Sequence, residues 1–126
     1  MRFPVTLLAS GAEAIPLESE SVDTVVSTWT LCSIPQIEAA LLEMRRVLRP
    51  GGRLLFMEHG QAPDPDVARL QDRLTPAFRV MAGCNLNRPI ERLITQAGFQ
   101  FSELERSYLE GPRFIAFHYI GQATPA

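Results

Sequence analysis

The sequence predicts an α/β fold, with parallel strands covered by helices and a C-terminal antiparallel hairpin. Three observations predict it. Runs rich in apolar and β-branched residues alternate with helical patterns in the first half of the chain. Residues 54–57 (LLFM) are apolar without alternation, which indicates a strand buried on both faces. Strand-like segments then flank the turn signal Gly111-Pro112.

The first two strands come early in the chain. Residues 5–10 (VTLLAS) are a short apolar run before Gly11, and we expect a buried strand there. Residues 21–30 (SVDTVVSTWT) are richer in β-branched residues and predict a second strand that starts near Asp23. The polar stretch between them is expected to be a loop or one short helical turn.

A helix is expected from Ser33, because Gln36 follows at the spacing of a capping box. Apolar residues repeat at helical spacing over residues 37–48. Pro50 should end this helix, since its ring disfavours helical geometry at the preceding residue. Residues 53–59 then predict the third strand.

The second half is less regular. Helical spacing continues within residues 60–86, but Pro76 is expected to kink or split that helix. A clearer helix covers residues 89–97 and ends at Gly98. The hairpin arms are expected at 100–109 and 113–121, with the apolar second arm central in its part of the sheet and the tail beyond it frayed.

Length and composition limit the class of protein to which this chain can belong. The chain has 126 residues and a net charge of −2, and we expect one domain over residues 1–126. Its 12 basic residues, all Arg, form no basic stripe, so nucleic acid is not an expected partner. No window is apolar enough for a membrane span, and the first residues lack the core of a signal peptide. We therefore expect a cytoplasmic protein.

The 2 cysteines, Cys32 and Cys84, fit neither a CxxC nor a zinc spacing. We expect both to be small buried hydrophobic residues in a reduced compartment. No metal is expected on this basis.

An ordered series of motifs points to a family. "GAE", "IP", "SVD", "LCS" and "RVLRPGG" follow one another, and "AGF" precedes the hairpin. The series resembles the second half of a class I S-adenosylmethionine-dependent methyltransferase of the methyltransferase type 11 kind. With "EH" and "GC" added, it is most similar to the methyltransferase-like thiol methyltransferases. The resemblance covers about residues 5–120 and implies a truncated Rossmann-like sheet, S-adenosylmethionine as cofactor and a small acceptor such as a thiol.

The sequence departs from that family in two places. It contains no GxG, whereas the family's cofactor site begins with a glycine-rich loop after the first strand. Because residues 5–10 resemble the family's third strand, two strands and their helices are missing. Gly11 stands where the family usually has an Asp that contacts adenine.

The resemblance places the cofactor pocket at the carboxyl ends of the parallel strands. The alternatives to cofactor binding are that the loop at residues 11–13 is only a tight turn after a strand and that Trp29 is a core residue. The residues implied to bind cofactor are Gly11, Ala12 and Glu13 in the loop, and Ser27, Thr28 and Trp29 at a strand end.

His59 is the leading catalytic candidate, because a thiol or hydroxyl acceptor must lose its proton and His titrates in the right range. Transfer to a thiolate needs mainly alignment, so a base is not obligatory. The alternative is a strand-end histidine bonded to backbone. Glu58 joins the candidate site as the residue that orients a neighbour or caps a helix, and His118 is expected to be a satisfied core or surface histidine.

Three hypotheses follow. The leading one is a methyltransferase that transfers the sulfonium methyl group to a small acceptor. The second is a non-catalytic, truncated member of the fold, stable as a homodimer through the exposed edge of residues 23–30. The third is that the chain is the C-terminal part of a longer enzyme.

Overall fold

The computed structural model describes residues 3–126. Strands and helices alternate up to a closing antiparallel pair of strands. The strands are β1 (Val22–Thr28), β2 (Leu48–His59), β3 (Phe99–Tyr108) and β4 (Phe117–Pro125), and the helices are α1 (Ile37–Val47), α2 (Pro65–Ala82), α3 (Ile90–Gln96) and α4 (Arg113–Ala116).

The four strands form one sheet in the order β1-β2-β4-β3. β1 and β2 are parallel, whereas β4 is antiparallel to both of its neighbours. The predicted α/β class and the central place of β4 beside β3 are confirmed. The core packs apolar side chains of α1 and α3 against the sheet, with Leu41, Ile94 and Leu54 fully buried. Burying such side chains stabilises the fold by roughly 1.5–3 kcal/mol each.

The predicted strand at residues 5–10 is wrong. This segment has no regular structure, and its apolar side chains are exposed, with Leu7 at 91% and Val5 at 71%. A strand needs a hydrogen-bonded neighbour, and the described chain offers this segment none. Apolar composition alone therefore predicted burial that the fold does not provide.

α1 begins at Ile37, not at Ser33, and Gln36 is its N-cap without a side-chain cap bond. Residues 31–33 form a turn instead, and side chains from elsewhere in the chain satisfy carbonyl groups of this segment. Arg88 donates to the carbonyls of Leu31 and Ile34. The tertiary contact replaces the helical hydrogen bonds that a capping box would have started.

α1 also ends earlier than predicted, at Val47, and β2 begins at once. Leu48 pairs with Val22, and the register then shifts, so that Arg53 pairs with Thr24. Pro50 therefore lies in an irregularity of the strand and does not end the helix, which suits a residue without an N–H group.

α2 runs unbroken through Pro76, so the expected split is wrong. Pro76 is exposed and removes one N–H from the helix. The Thr75 hydroxyl donates to the carbonyl of Gln71 at 2.8 Å and accepts from the N–H of Leu86 at 3.2 Å. These bonds hold the turn around the proline.

The second hairpin arm lies further towards the C-terminus than the predicted residues 113–121, because β4 spans Phe117–Pro125. Residues 113–116 form the short α4, and β4 continues to Pro125, where it pairs with Phe99. The tail beyond Gly121 is therefore not frayed, and Ala123 within it is fully buried. The pairing with the start of β3, which local sequence does not reveal, orders this tail.

Candidate active site

The carboxyl ends of the two parallel strands lie side by side at one edge of the sheet. Thr28 of β1 pairs with Met57 of β2, so Trp29 lies at the same edge of the sheet as Glu58 and His59. The N–H of Trp29 donates to the carbonyl of Met57 at 3.0 Å. The expectation that these strand ends share one edge is confirmed.

Glu58 is fully buried at 0% exposure, and its carboxylate holds the turn that follows β1. It accepts hydrogen bonds from the Ser27 hydroxyl at 2.7 Å, the N–H of Thr30 at 3.0 Å and the N–H of Leu31 at 3.2 Å. Burial raises the pKa of this carboxyl, and the hydrogen bonds offset part of that rise. Both oxygens are occupied within the protein, which fits a positioning role.

The strand-end residues implied to bind cofactor differ in exposure. Ser27 is buried, and its hydroxyl is bound to Glu58, whereas Thr28 and Trp29 are exposed. Trp29 is 57% exposed, so its interpretation as a core residue is wrong. Its φ of 49° lies in the left-handed region, which a bulky residue seldom adopts. This conformation directs the indole N–H to His118 Nε2, at 2.9 Å.

His118 is buried, and both of its ring nitrogens have partners. Because Nε2 accepts from Trp29, the ring proton lies on Nδ1, which donates to the carbonyl of Ala116 at 2.7 Å. The prediction of a satisfied core histidine is confirmed. These contacts leave neither nitrogen of His118 available to a ligand.

His59 differs from His118 in its surroundings. Its Nε2 lies 3.4 Å from the Cys84 Sγ. Its Nδ1 is buried and, within residues 3–126, has no hydrogen-bond partner. The alternative of a histidine bonded to backbone is therefore wrong. Burial and the nearby His118 lower the pKa of His59, so the ring is neutral at pH 7.

The two cysteines come together with His59, which the sequence reasoning did not predict. One atom each of Cys32, His59 and Cys84 lies within 4.8 Å of the others. Cys32 is buried, as expected, but Cys84 is only half-buried. Burial raises the pKa of Cys84 to about 12, and Cys32 adds to the shift. Both residues belong to motifs that carried the family resemblance, "LCS" and "GC". These motifs were the one feature of the sequence that could have indicated the cluster.

The segment after α2 brings Cys84 to the strand ends. Gly83 closes the helix in the left-handed conformation, with φ of 66°. Asn85 then binds the carbonyl of Cys32 through its backbone N–H at 2.8 Å and its side-chain amide at 3.0 Å. The two cysteine segments are therefore held to each other by hydrogen bonds of Asn85 that do not involve the thiols.

A largely apolar cleft of about 340 Å³ opens beside these residues. Its volume is within the range of small-molecule sites. The walls come from the strand ends, the end of α2 and the loop before α4: Trp29, His59, Phe78, Ala82, Cys84, Leu86, Glu110, Gly111, Pro112, Ile115 and His118.

The loop with Gly11, Ala12 and Glu13 is not brought to this cleft by its hydrogen bonds. The N–H of Ala14 closes a turn on the carbonyl of Gly11. The next residue, Ile15, is anchored to α1 by its N–H and carbonyl, which bind Glu43 and Arg46. The assignment of this loop to the cofactor stays a prediction.

Comparisons with known proteins agree with the fold. The family model described as a methyltransferase domain matches residues 2–56. The chain is 37% identical to thiol S-methyltransferase TMT1B of Rattus norvegicus and 36% identical to thiol S-methyltransferase TMT1A of Homo sapiens, in both cases over 98% of this chain and 52% of the relative. A SAM-dependent methyltransferase of Thermotoga maritima has a similar crystal structure, with a TM-score of 0.68 and 23% identity over 97% of this chain and 65% of that chain.

The chain has the fold of the class I S-adenosylmethionine-dependent methyltransferases and is similar to members of that family in sequence. It spans about half the length of the curated relatives it matches, 52% for both thiol S-methyltransferases. Family and fold imply S-adenosylmethionine as the cofactor of the methyltransferase domain. In residues 3–126 no helix combines the length and apolar character needed to cross a membrane.

The strand-end edge of this methyltransferase sheet fits one side of a cofactor site. Exposed Trp29 and Thr28 lie at the carboxyl ends of the parallel strands, where open α/β sheets bind ligands. The Ser27 hydroxyl is already occupied by Glu58. Trp29 and Thr28 are therefore the strand-end side chains available to a cofactor.

Proposed function

We propose that this chain forms the acceptor side of a methyltransferase that methylates a small lipophilic thiol. The observation that carries the proposal is the likeness to proteins named thiol S-methyltransferase over 98% of the chain. The apolar cleft at the strand ends supports it, because burying the apolar surface of a lipophilic acceptor there favours binding.

The residues have separable roles in this proposal. S-adenosylmethionine supplies an electrophilic methyl group on its sulfonium sulfur. Trp29 and Thr28 hold the cofactor at the strand ends, while apolar residues such as Phe78 and Ile115 hold the acceptor and exclude water. His59 contacts the acceptor, and Glu58 keeps the turn before Leu31 in place. Catalysis then rests mainly on the alignment of thiol and methyl group.

Calorimetric titration of the purified chain with S-adenosylhomocysteine is the first test. We expect saturable binding in the micromolar range, and a loss of at least about tenfold in affinity for Trp29→Ala, because the exposed ring is a large contact surface. Val80→Ala is the matched control, since Val80 is an exposed apolar residue that does not line the cleft.

Methyl transfer to a small aromatic thiol is then measured with the same preparation. Binding followed by thioether formation supports the proposal. No heat at high protein concentration, or binding without transfer to any thiol, would contradict it.

A second candidate is a non-catalytic member of the fold that is stable as a homodimer. The observation that favours it is the exposure of β1, which has one strand neighbour in the described sheet and presents Val26 at 68% exposure. An apolar edge strand of this kind is an association site unless it is covered. A second copy of the chain would cover it.

A further inference from the structure

The geometry of Cys32, His59 and Cys84 is close to that of three ligands of one metal ion. Zinc binds sulfur at about 2.3 Å and imidazole nitrogen at about 2.0–2.1 Å, so tetrahedral ligands lie about 3.6 Å apart for S and N and about 3.8 Å apart for two sulfurs. The Cys84 Sγ to His59 Nε2 distance is 3.4 Å. All three ligand atoms lie within 4.8 Å of one another. A movement of about 1 Å at most would bring the ligand atoms from within 4.8 Å of one another to these separations.

The orientation of the His59 ring points the same way. Its Nε2 faces the sulfur, although its buried Nδ1 has no partner within residues 3–126. Leaving a buried polar atom unsatisfied is unfavourable. A ligand bond at Nε2 would give this orientation a compensating interaction. His118, the other histidine of the cleft, is excluded as a ligand because both of its nitrogens are bonded.

Charge also fits a divalent cation. Two thiolates and a neutral imidazole around a doubly charged ion form a site with no net charge, which suits a half-buried position. The Arg88 guanidinium, which binds the carbonyls of Leu31 and Ile34 on either side of Cys32, adds positive charge beside the site. Thiolate and imidazole ligands select thiophilic ions such as Zn²⁺.

We propose that Cys32, His59 and Cys84 bind a thiophilic divalent cation, with zinc as the natural ion, and that its fourth coordination position opens into the cleft. His59 and Cys84 line that cleft, so a ligand in the cleft can reach the ion. Three protein ligands and one open position are the arrangement of catalytic zinc sites, whereas structural sites use four protein ligands.

The occupant of the open position, which rests on the proposed function, is the acceptor thiol. Coordination releases the thiol proton to solvent and leaves a metal-bound thiolate. The thiolate sulfur then forms the new S–CH₃ bond as the bond between the methyl group and the sulfonium sulfur breaks. The electron pair of the broken bond stays on the sulfur of S-adenosylhomocysteine, which is released. His59 serves as a ligand in this arrangement and does not accept the proton.

Cobalt is the probe that tests the site without any turnover. The reduced, chelator-treated chain is titrated with Co²⁺, and we expect one equivalent to produce the visible bands of tetrahedral cobalt and a thiolate-to-cobalt charge-transfer band. Cys84→Ser and His59→Gln should each weaken Co²⁺ binding at least about tenfold, since each removes a ligand. His118→Gln is the matched control and should bind Co²⁺ like the unsubstituted chain. Circular dichroism checks that each variant is folded.

Wild-type measurements keep the test decisive if a variant fails to fold. Weak octahedral bands without charge transfer in the unsubstituted chain would overturn the proposal. So would a reduced chain that binds no Co²⁺ but loses both thiols to a Cys32–Cys84 disulfide on mild oxidation. A small aromatic thiol should shift the cobalt bands, and bands that do not respond to it would overturn the open position.

The same samples separate this site from the proposed function. Cobalt bands without methyl transfer would leave the metal site standing and contradict the methyltransferase proposal. Methyl transfer that is unchanged by chelation and by Cys84→Ser would contradict the metal's part in the reaction.

Discussion

At the scale of single residues, one buried carboxylate determines the shape of the candidate site. Glu58 receives hydrogen bonds from Ser27, Thr30 and Leu31, which together form the turn at the end of β1. That turn carries Trp29 and leads directly to Cys32. A carboxylate suits this position because it is an acceptor at both oxygens, whereas an amide presents an N–H group at one of them.

Glu58→Gln should lower the free energy of unfolding by about 2–3 kcal/mol, because charge-assisted hydrogen bonds are lost and a buried donor faces other donors. Urea denaturation at pH 7 measures the change. Glu105→Gln, an exposed position on β3, is the control, with an expected change within about 0.5 kcal/mol. Equal losses in both variants would show that Glu58 does not hold the turn.

At the scale of elements, α2 is docked by one side chain. Gln71 is 1% exposed, accepts from the N–H of Ala62 at 2.9 Å and donates to the carbonyls of Gly60 at 2.9 Å and Phe114 at 3.1 Å. It therefore joins the helix to the loop after β2 and to α4. Since the end of α2 forms one wall of the cleft, this docking also sets the shape of the cleft.

Gln71→Ala should destabilise the fold by about 3 kcal/mol, because three backbone groups lose their partners in a buried position. Urea denaturation and amide hydrogen exchange measure the effect, and the amide of Ala62 should lose protection first. Gln100→Ala, on the exposed side of β3, should change stability by no more than about 0.5 kcal/mol. Unchanged protection at Ala62 would contradict the docking role.

At the scale of the whole molecule, the sheet has an edge that the described chain does not cover. β1 pairs only with β2 there, and apolar side chains are exposed at Val26 on β1 and at Leu7 in the segment that precedes it. The second candidate function depends on what covers this edge, because an uncovered apolar strand favours association.

Analytical ultracentrifugation should find a homodimer, and Val26→Lys should shift it to monomer because a charge on an edge strand opposes pairing. Leu42→Lys is the control, since Leu42 is an exposed apolar residue on α1, and the dimer should persist. A monomeric unsubstituted chain with the circular dichroism spectrum of a folded protein would contradict the dimer proposal.

Local sequence was sufficient for much of the architecture. The β-branched run around Val25, the helical repeat of α1 and the unbroken apolar run of β2 each act through neighbours in sequence, so their element types were predicted correctly. The order of motifs also predicted the likeness to methyltransferases. The meeting of Trp29 with His59 followed from parallel strands having their carboxyl ends at one edge.

The tertiary structure alone decided the rest. Residues 5–10 are apolar enough for a strand but have no partner strand, and pairing is a property of the sheet and not of the segment. Trp29 is exposed because a left-handed backbone turn directs its indole to His118. Cys32, His59 and Cys84 lie far apart in sequence, and they meet because Asn85 and Arg88 bind the first cysteine's segment to the loop after α2. Long-range hydrogen bonds from these side chains to backbone carbonyls hold that cluster together, and no local pattern specifies them.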